Sequence, residues 1–134
     1  MRILIVDDED IGRSRMVATL SQYGRCDTAD CGHKAVALFR DALDNDPYDL
    51  ITMDVEMPGM SGRQALEAIR IAETERGIDP WDGARAIMVT CHKDADNFLD
   101  SFEAGCRAYI VKPATREAVK DKLNKLGLLT GTNH

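Results

Sequence analysis

Three aspartates, a threonine and a lysine stand at the ends of apolar stretches of this sequence. Asp7 and Asp8 follow one stretch, Asp54 ends a second, Thr90 ends a third, and Lys112 follows a fourth. Carboxylates brought close together repel and raise one another's pKa unless a divalent cation neutralises them, and such hard oxygen ligands suit Mg²⁺ or Mn²⁺. A lysine and a hydroxyl facing that metal would contact the oxygens of a phosphoryl group in flight. Together these residue types favour phosphoryl transfer to a carboxylate.

The elements that must bring these residues together alternate along the chain. Short β-rich runs predict five strands, at residues 2–6, 25–29, 50–53, 86–90 and 108–111. Helical periodicity predicts a helix after each strand, with these apolar faces: Met16, Val17 and Leu20; Ala35, Val36 and Phe39; Ala65, Leu66 and Ile69; Ala95, Phe98 and Leu99; Val119 and Leu123. Gly24, Gly105 and Gly127 are predicted to end helices in the left-handed conformation, and Thr115 to cap the last helix at its start.

This alternation predicts an α/β fold with a five-stranded parallel sheet. Crossovers between parallel strands are right-handed, and they place helices on both faces of the sheet. The strongly apolar strands agree, because a parallel sheet is buried on both faces. Ligands of such folds bind beyond the carboxyl ends of the strands, at a switch point in the strand order. All five residues introduced above fall on that edge.

Composition limits the class of protein. With 134 residues and 44% hydrophobic content, the chain is expected to form one domain, and its net charge of −6 disfavours nucleic acid and anionic membranes as partners. No apolar run approaches the roughly 20 residues of a membrane span, and no secretory leader precedes the first strand, so we expect a cytoplasmic protein. The four cysteines form no CxxC pair and are expected to remain reduced.

Four motifs carry a resemblance to a known family. The segments "VDDE" (6–9), "MDVEMPGMSG" (53–62), "VT" (89–90) and "YIVKP" (109–113) resemble those of the receiver domain of bacterial two-component response regulators. Their order and spacing agree with the family over residues 2 to about 126, in its single-domain, CheY-like form. The resemblance implies a flavodoxin-like sheet with strand order 2-1-3-4-5. It also implies a receiver domain over residues 1–127, followed by a short tail at 128–134 and no output domain.

The same resemblance implies a role for each acidic residue. Asp54 would be the phosphoacceptor, which takes a phosphoryl group from a phosphohistidine on a sensor histidine kinase or a histidine phosphotransfer protein. Asp8 would bind Mg²⁺ directly, and Asp7 would bind it through water. Asp54 and the backbone carbonyl of Glu56 would complete the metal ligands that the protein supplies. The chain would then catalyse only its own phosphorylation and dephosphorylation.

Four further residues would complete the site: Thr90 and Lys112 would take part in the chemistry, Thr90 and Tyr109 would form the switch, and Pro113 would follow Lys112. Thr90 would move its hydroxyl towards the acyl phosphate, and Lys112 would pair with a phosphate oxygen. The bond between Lys112 and Pro113 would be cis, which is accessible to a proline amide. Tyr109 would change rotamer together with Thr90, and we favour this role over the packing that is usual for an aromatic residue in a strand.

Output is expected through contact with a downstream effector protein, by a monomer or a phosphorylation-dependent dimer. Two charged faces are either ordinary solvated surface or parts of that contact: the basic face of the last helix (Arg116, Lys120, Lys122 and Lys125) and the acidic face of the helix before it (Asp94, Asp96, Asp100 and Glu103). Cys91 and His92 follow Thr90 and could alter the lifetime of the phosphate. The long connection at 73–84 contains Trp81, for which we favour packing.

Three other functions remain open on the sequence. A magnesium-dependent phosphohydrolase would also form an aspartyl phosphate, but such an enzyme would require a second acid in a DxD motif, where this chain has Glu56. A nucleotide-binding module would require a glycine-rich phosphate loop, and neither GxGxxG nor GxxxxGK[ST] occurs. An unphosphorylated scaffold with the receiver fold would not require the acceptor set that is present.

Overall fold

The computed structural model describes residues 1–79, 82–91 and 104–129. Its strands are β1 (Arg2–Val6), β2 (Arg25–Ala29), β3 (Leu50–Asp54), β4 (Arg85–Thr90) and β5 (Ala108–Val111). Its helices are α1 (Asp10–Leu20), α2 (Gly32–Leu43), α3 (Gly62–Glu75) and α4 (Arg116–Lys125). All five predicted strands are confirmed to within one residue at each end. The helix predicted from Ala95, Phe98 and Leu99, with its acidic face, lies outside the described residues, as do Trp81 and His92.

The strands form one parallel sheet in the order β2-β1-β3-β4-β5, which confirms the predicted fold class. The chain first moves from β1 to β2 and then returns past β1 to β3, so the order reverses between β1 and β3. In the register of this pair, Val6 lies opposite Met53. The residue after β1 and the last residue of β3 therefore meet at the switch point.

Two apolar layers hold the sheet between the helices. In β1, successive side chains point to opposite faces: Leu4 and Val6 pack with residues of α2 and α3, whereas Ile3 and Ile5 pack with residues of α1 and α4. These four side chains are at most 2% exposed. A rigid double-sided core of this kind fixes the positions of the strand ends.

Two of the predicted helix-end glycines are left-handed, and one is not. Gly105 and Gly127 have φ of 108° and 76°. Gly24 is not among the glycines with positive φ, because α1 ends at Leu20 with Ser21 as its C-cap. A Cβ atom on Gly24 would lie 2.1 Å from the carbonyl oxygen of Met1, so the close approach of these two segments explains the glycine. The predicted N-cap is confirmed, since the hydroxyl of Thr115 accepts a hydrogen bond from the backbone N–H of Ala118 at 3.1 Å.

A buried ion pair anchors α3 to the segments on either side of β4. Glu73 is only 2% exposed and accepts from Arg70 at 2.7 Å and from the backbone N–H of Ala84 at 2.8 Å. The same guanidinium donates to the carbonyl oxygen of Gly105 at 2.8 and 3.2 Å. Because α3 continues to Glu75, the connection predicted at 73–84 is shorter, covering residues 76–84. None of the described helices has the length and apolar character needed to cross a membrane.

Candidate functional site

Three carboxylates converge at the switch point of the sheet. Oxygen atoms of Asp7, Asp8 and Asp54 all lie within 4.8 Å of one another, and Asp7 and Asp54 are only 9% and 5% exposed. Three negative charges this close repel one another unless a cation balances them. A hard divalent ion such as Mg²⁺ fits this set of oxygen donors, because it binds through a few carboxylates and keeps several waters. The predicted convergence of these residues is confirmed.

Local hydrogen bonds hold Asp7 in place. Its backbone N–H donates to the carbonyl oxygen of Ala29 at 3.2 Å, and its Oδ1 accepts from the backbone N–H of Glu9 at 2.9 Å. Its carbonyl oxygen accepts from Arg13 at 2.8 Å. The N-cap of α1 is Glu9, so neither Asp7 nor Asp8 takes the N-cap position of this helix. Sequence reasoning missed Arg13, which lies on the first turns of α1 and fixes the backbone between the two acids.

Asp54 is held between the start of α3 and a lysine. Its Oδ1 accepts from the backbone N–H of Glu56 at 3.3 Å, and its Oδ2 lies 3.4 Å from Nζ of Lys112. A Cβ atom on Gly62 would lie 2.1 Å from the carbonyl oxygen of Asp54, so a glycine is required where α3 begins. Asp54 and Lys112, which were predicted to lie at the same edge of the sheet, are thus in contact.

Burial changes the ionisation of this pair. The pKa of Asp54 is raised to about 7, chiefly because burial disfavours the charged carboxylate. The positive charge of Lys112 and the backbone N–H of Glu56 oppose this shift, whereas the negative charge of Asp7 adds to it. Burial alone would lower the pKa of Lys112, but the charges of Asp54 and Asp7 raise it above its ordinary value. The lysine therefore stays cationic, and the metal-free protein carries a carboxyl group that ionises only near neutral pH.

This raised pKa predicts a pH-dependent effect of Asp54→Asn on stability in metal-free buffer. A carboxyl that ionises near pH 7 when folded and near pH 4 when unfolded binds its proton more tightly in the folded state. The parent therefore loses stability as the pH rises from about 4 to about 7. Between pH 5 and pH 8, the unfolding free energy of Asp54→Asn should rise relative to the parent by about 1–3 kcal/mol. Urea unfolding at the two pH values measures this, and an equal difference at both would contradict it.

Thr90 is at the end of β4, where it is completely buried. The backbone N–H of Lys112 donates to its carbonyl oxygen at 2.6 Å. Its hydroxyl donates to the side chain of Glu56, with distances of 2.6 and 3.0 Å to the two carboxylate oxygens. Sequence reasoning assigned only the backbone carbonyl of Glu56 to the site and missed this contact. The sequence does not indicate which group the side chain of an acid two residues after a strand end will contact.

The remaining predicted site residues lie on or after β5. The peptide bond between Lys112 and Pro113 is cis, as predicted. Tyr109 is partly buried and packs against the core layer of α2 and α3, and it pairs in register with Met88 of β4. That position agrees with a packing role. Its movement together with Thr90 stays a prediction.

Comparison with known proteins gives a consistent result. Residues 3–124 match the family described as the response regulator receiver domain. The chain is 32% identical to the chemotaxis protein CheY of Pseudomonas aeruginosa over 126 residues, which cover 94% of this chain and 95% of that protein. It is 34% identical to the sensor histidine kinase GacS of Pseudomonas protegens over 113 residues, covering 84% of this chain but 12% of the kinase.

A solved structure supports the same assignment. The receiver domain of the histidine kinase CKI1 from Arabidopsis thaliana, complexed with Mg²⁺ and BeF₃⁻, has a TM-score of 0.82 and 26% sequence identity. The match covers 94% of this chain and 89% of that one. Similar chains thus occur both as nearly the whole of a small protein and as a small part of a long kinase.

Proposed function

We propose, since this chain belongs to the response regulator receiver domain family, that Asp54 accepts a phosphoryl group from a phosphohistidine and that this changes how the chain binds a partner. The chain is a receiver of two-component signal transduction. The observation that carries the proposal is the position of Asp54, which is buried, surrounded by Asp7 and Asp8, and 3.4 Å from Lys112. The receiver unit would span residues 1–127, followed by a tail at 128–134.

The proposed reaction forms one bond and breaks one. An Oδ atom of Asp54 attacks the phosphorus atom, the bond between phosphorus and the imidazole nitrogen breaks, and that nitrogen leaves with a proton from solvent. Mg²⁺ or Mn²⁺, held by Asp7, Asp8 and Asp54 with the carbonyl of Glu56, would neutralise the charge on the transferring oxygens. Lys112 would pair with a phosphoryl oxygen, and the Thr90 hydroxyl would donate to another once the acyl phosphate has formed.

The same geometry favours a receiver over a phosphohydrolase. A hydrolase of the DxD type requires a second acid that is free to act on the leaving group. Here the carboxylate of Glu56 accepts a hydrogen bond from Thr90. We therefore propose that the chain catalyses only the gain and loss of its own phosphate. The donor would be a histidine kinase or a phosphotransfer protein, and the output would pass in the cytoplasm to an effector protein, from a monomer or a phosphorylation-dependent dimer.

Intact mass spectrometry tests this proposal. Incubation with Mg²⁺ and either acetyl phosphate or phosphoramidate should add one phosphate, about 80 Da, that hydroxylamine removes. Phosphoramidate is included because its phosphorus–nitrogen bond resembles that of phosphohistidine. Excess chelator should prevent the gain. A protein that takes no phosphate from either donor, or that is labelled equally well in chelator, would contradict the proposal.

Lys112→Ala should slow labelling by either donor about 10- to 100-fold, because a fixed positive charge beside the transferring group is lost. The rate of mass gain under a large excess of donor measures the effect. Lys125→Ala is the matched control, since this lysine pairs with Asp121 at 3.1 Å on the exposed side of α4. The role of Lys112 is wrong if its variant is labelled as fast as this control.

A further inference from the structure

Glu56 contacts two of the residues that the proposed phosphate would engage, Asp54 and Thr90. Its backbone N–H donates to Oδ1 of Asp54 at 3.3 Å, and its carboxylate accepts from the hydroxyl of Thr90 at 2.6 and 3.0 Å. The carboxylate is at the surface, whereas Thr90 is completely buried. The Glu56 side chain therefore lies between solvent and Thr90, the last residue of β4.

A hydroxyl has one hydrogen to donate, so Thr90 can donate to Glu56 or to a phosphoryl oxygen, but not fully to both. The carboxylate is also negatively charged, as the phosphoryl group is, and the two would repel each other across a short distance. The Glu56 carboxylate and the phosphoryl group therefore compete for the hydrogen bond that the Thr90 hydroxyl donates.

We propose that the Glu56 carboxylate is a latch that holds Thr90 in its unphosphorylated position and sets how readily the receiver switches. This inference rests on the proposed function and adds a residue that regulates it. Asp54 phosphorylation must break the bond between Thr90 and Glu56 before the threonine can bind phosphate. The latch therefore makes the switched state less favourable than it would be without Glu56.

Two effects of Glu56 can be separated by substitution. Glu56→Gln removes the charge but keeps an amide oxygen that can accept from Thr90. Glu56→Ala removes both the charge and the acceptor. Charge repulsion alone predicts that the two variants behave alike, whereas a latch predicts that the alanine variant switches more readily than the glutamine variant.

The test is a titration of each protein with beryllofluoride in saturating Mg²⁺. The NMR signals of the Thr90 methyl group report binding at each step and give the affinity. A hydrogen bond from Thr90 to the side chain of residue 56 is expected to weaken the affinity for beryllofluoride by about 10-fold. We expect binding to tighten in the order parent, Glu56→Gln, Glu56→Ala, with about 10-fold between the last two. Glu67→Ala, which removes an exposed acid on α3, should bind as the parent does.

The rotamer of Thr90 without beryllofluoride gives a second measurement that a purely structural role for Glu56 would not change. Three-bond couplings to the Thr90 methyl carbon should report one rotamer in the parent and averaged rotamers in Glu56→Ala, with Glu56→Gln close to the parent. Equal affinities of the two Glu56 variants, weaker binding by Glu56→Ala, or an unchanged rotamer would overturn the latch. A parent that fails to bind beryllofluoride would instead contradict the proposed function, while the couplings would still decide whether Glu56 holds Thr90.

Discussion

Asp54→Asn should gain no phosphate from acetyl phosphate or phosphoramidate under conditions that label the parent. The asparagine amide has nearly the shape of the carboxylate, but its oxygen is a poor nucleophile and it supplies no negative charge to a metal. The backbone around the residue should be preserved, because the N–H of Glu56 can donate to the amide oxygen as it does to Oδ1 of Asp54. The expected loss of labelling is complete, and intact mass measures it directly.

Asp121→Asn provides the control for this substitution. Asp121 is half-exposed on α4, where it pairs with Lys125 at 3.1 Å, and its loss leaves the site untouched. This variant should label at the parent's rate. Phosphate on Asp54→Asn at a comparable rate would show that the acceptor is another residue.

Arg70→Ala should lower the free energy of unfolding by about 3–5 kcal/mol, the largest stability change that we expect. The substitution leaves Glu73, which is 2% exposed, without its cation in a buried environment. It also removes both hydrogen bonds to the carbonyl oxygen of Gly105. Urea unfolding followed by circular dichroism measures the change at constant pH.

Arg63→Ala is the matched control on the same helix. Arg63 lies 4.0 Å from Glu67, and both side chains are about half exposed, so the loss should be within about 1 kcal/mol. Replacing both Arg70 and Glu73 by methionine should recover part of the lost stability, because no buried charge is then left unpaired. Equal effects of Arg63→Ala and Arg70→Ala would show that the buried pair does not anchor α3.

The sequence predicted β1, β3 and β4 well because burial on both faces produces largely apolar runs. The run of β1 is an example: Ile3 to Val6 are all buried, and Asp7 follows immediately. Such runs fix where each strand ends, and parallel strands bring their ends to one edge. Periodicity does not determine which strands are neighbours, however. The strand order, and with it the meeting of Asp7 and Asp54, came from the family resemblance.

The contacts that sequence reasoning missed are made by long charged side chains. Arg13, Glu56 and Arg70 each have several rotatable bonds, and their partners are decided by tertiary packing rather than by local pattern. Glu73 did carry a signal, because it lies four residues after Ile69 on the apolar face of α3. A charged residue on a core face requires a partner, and this could have directed attention to Arg70.

We propose that the acyl phosphate forms on Asp54. The most direct test is to label the parent with acetyl phosphate and Mg²⁺, reduce it with borohydride, and map its peptides by mass spectrometry. Borohydride converts an aspartyl phosphate into homoserine, so the modified residue keeps a permanent mark. We expect homoserine at position 54 alone, and only when Mg²⁺ is present. Homoserine at another acid, or none in a protein that has gained phosphate, would contradict it.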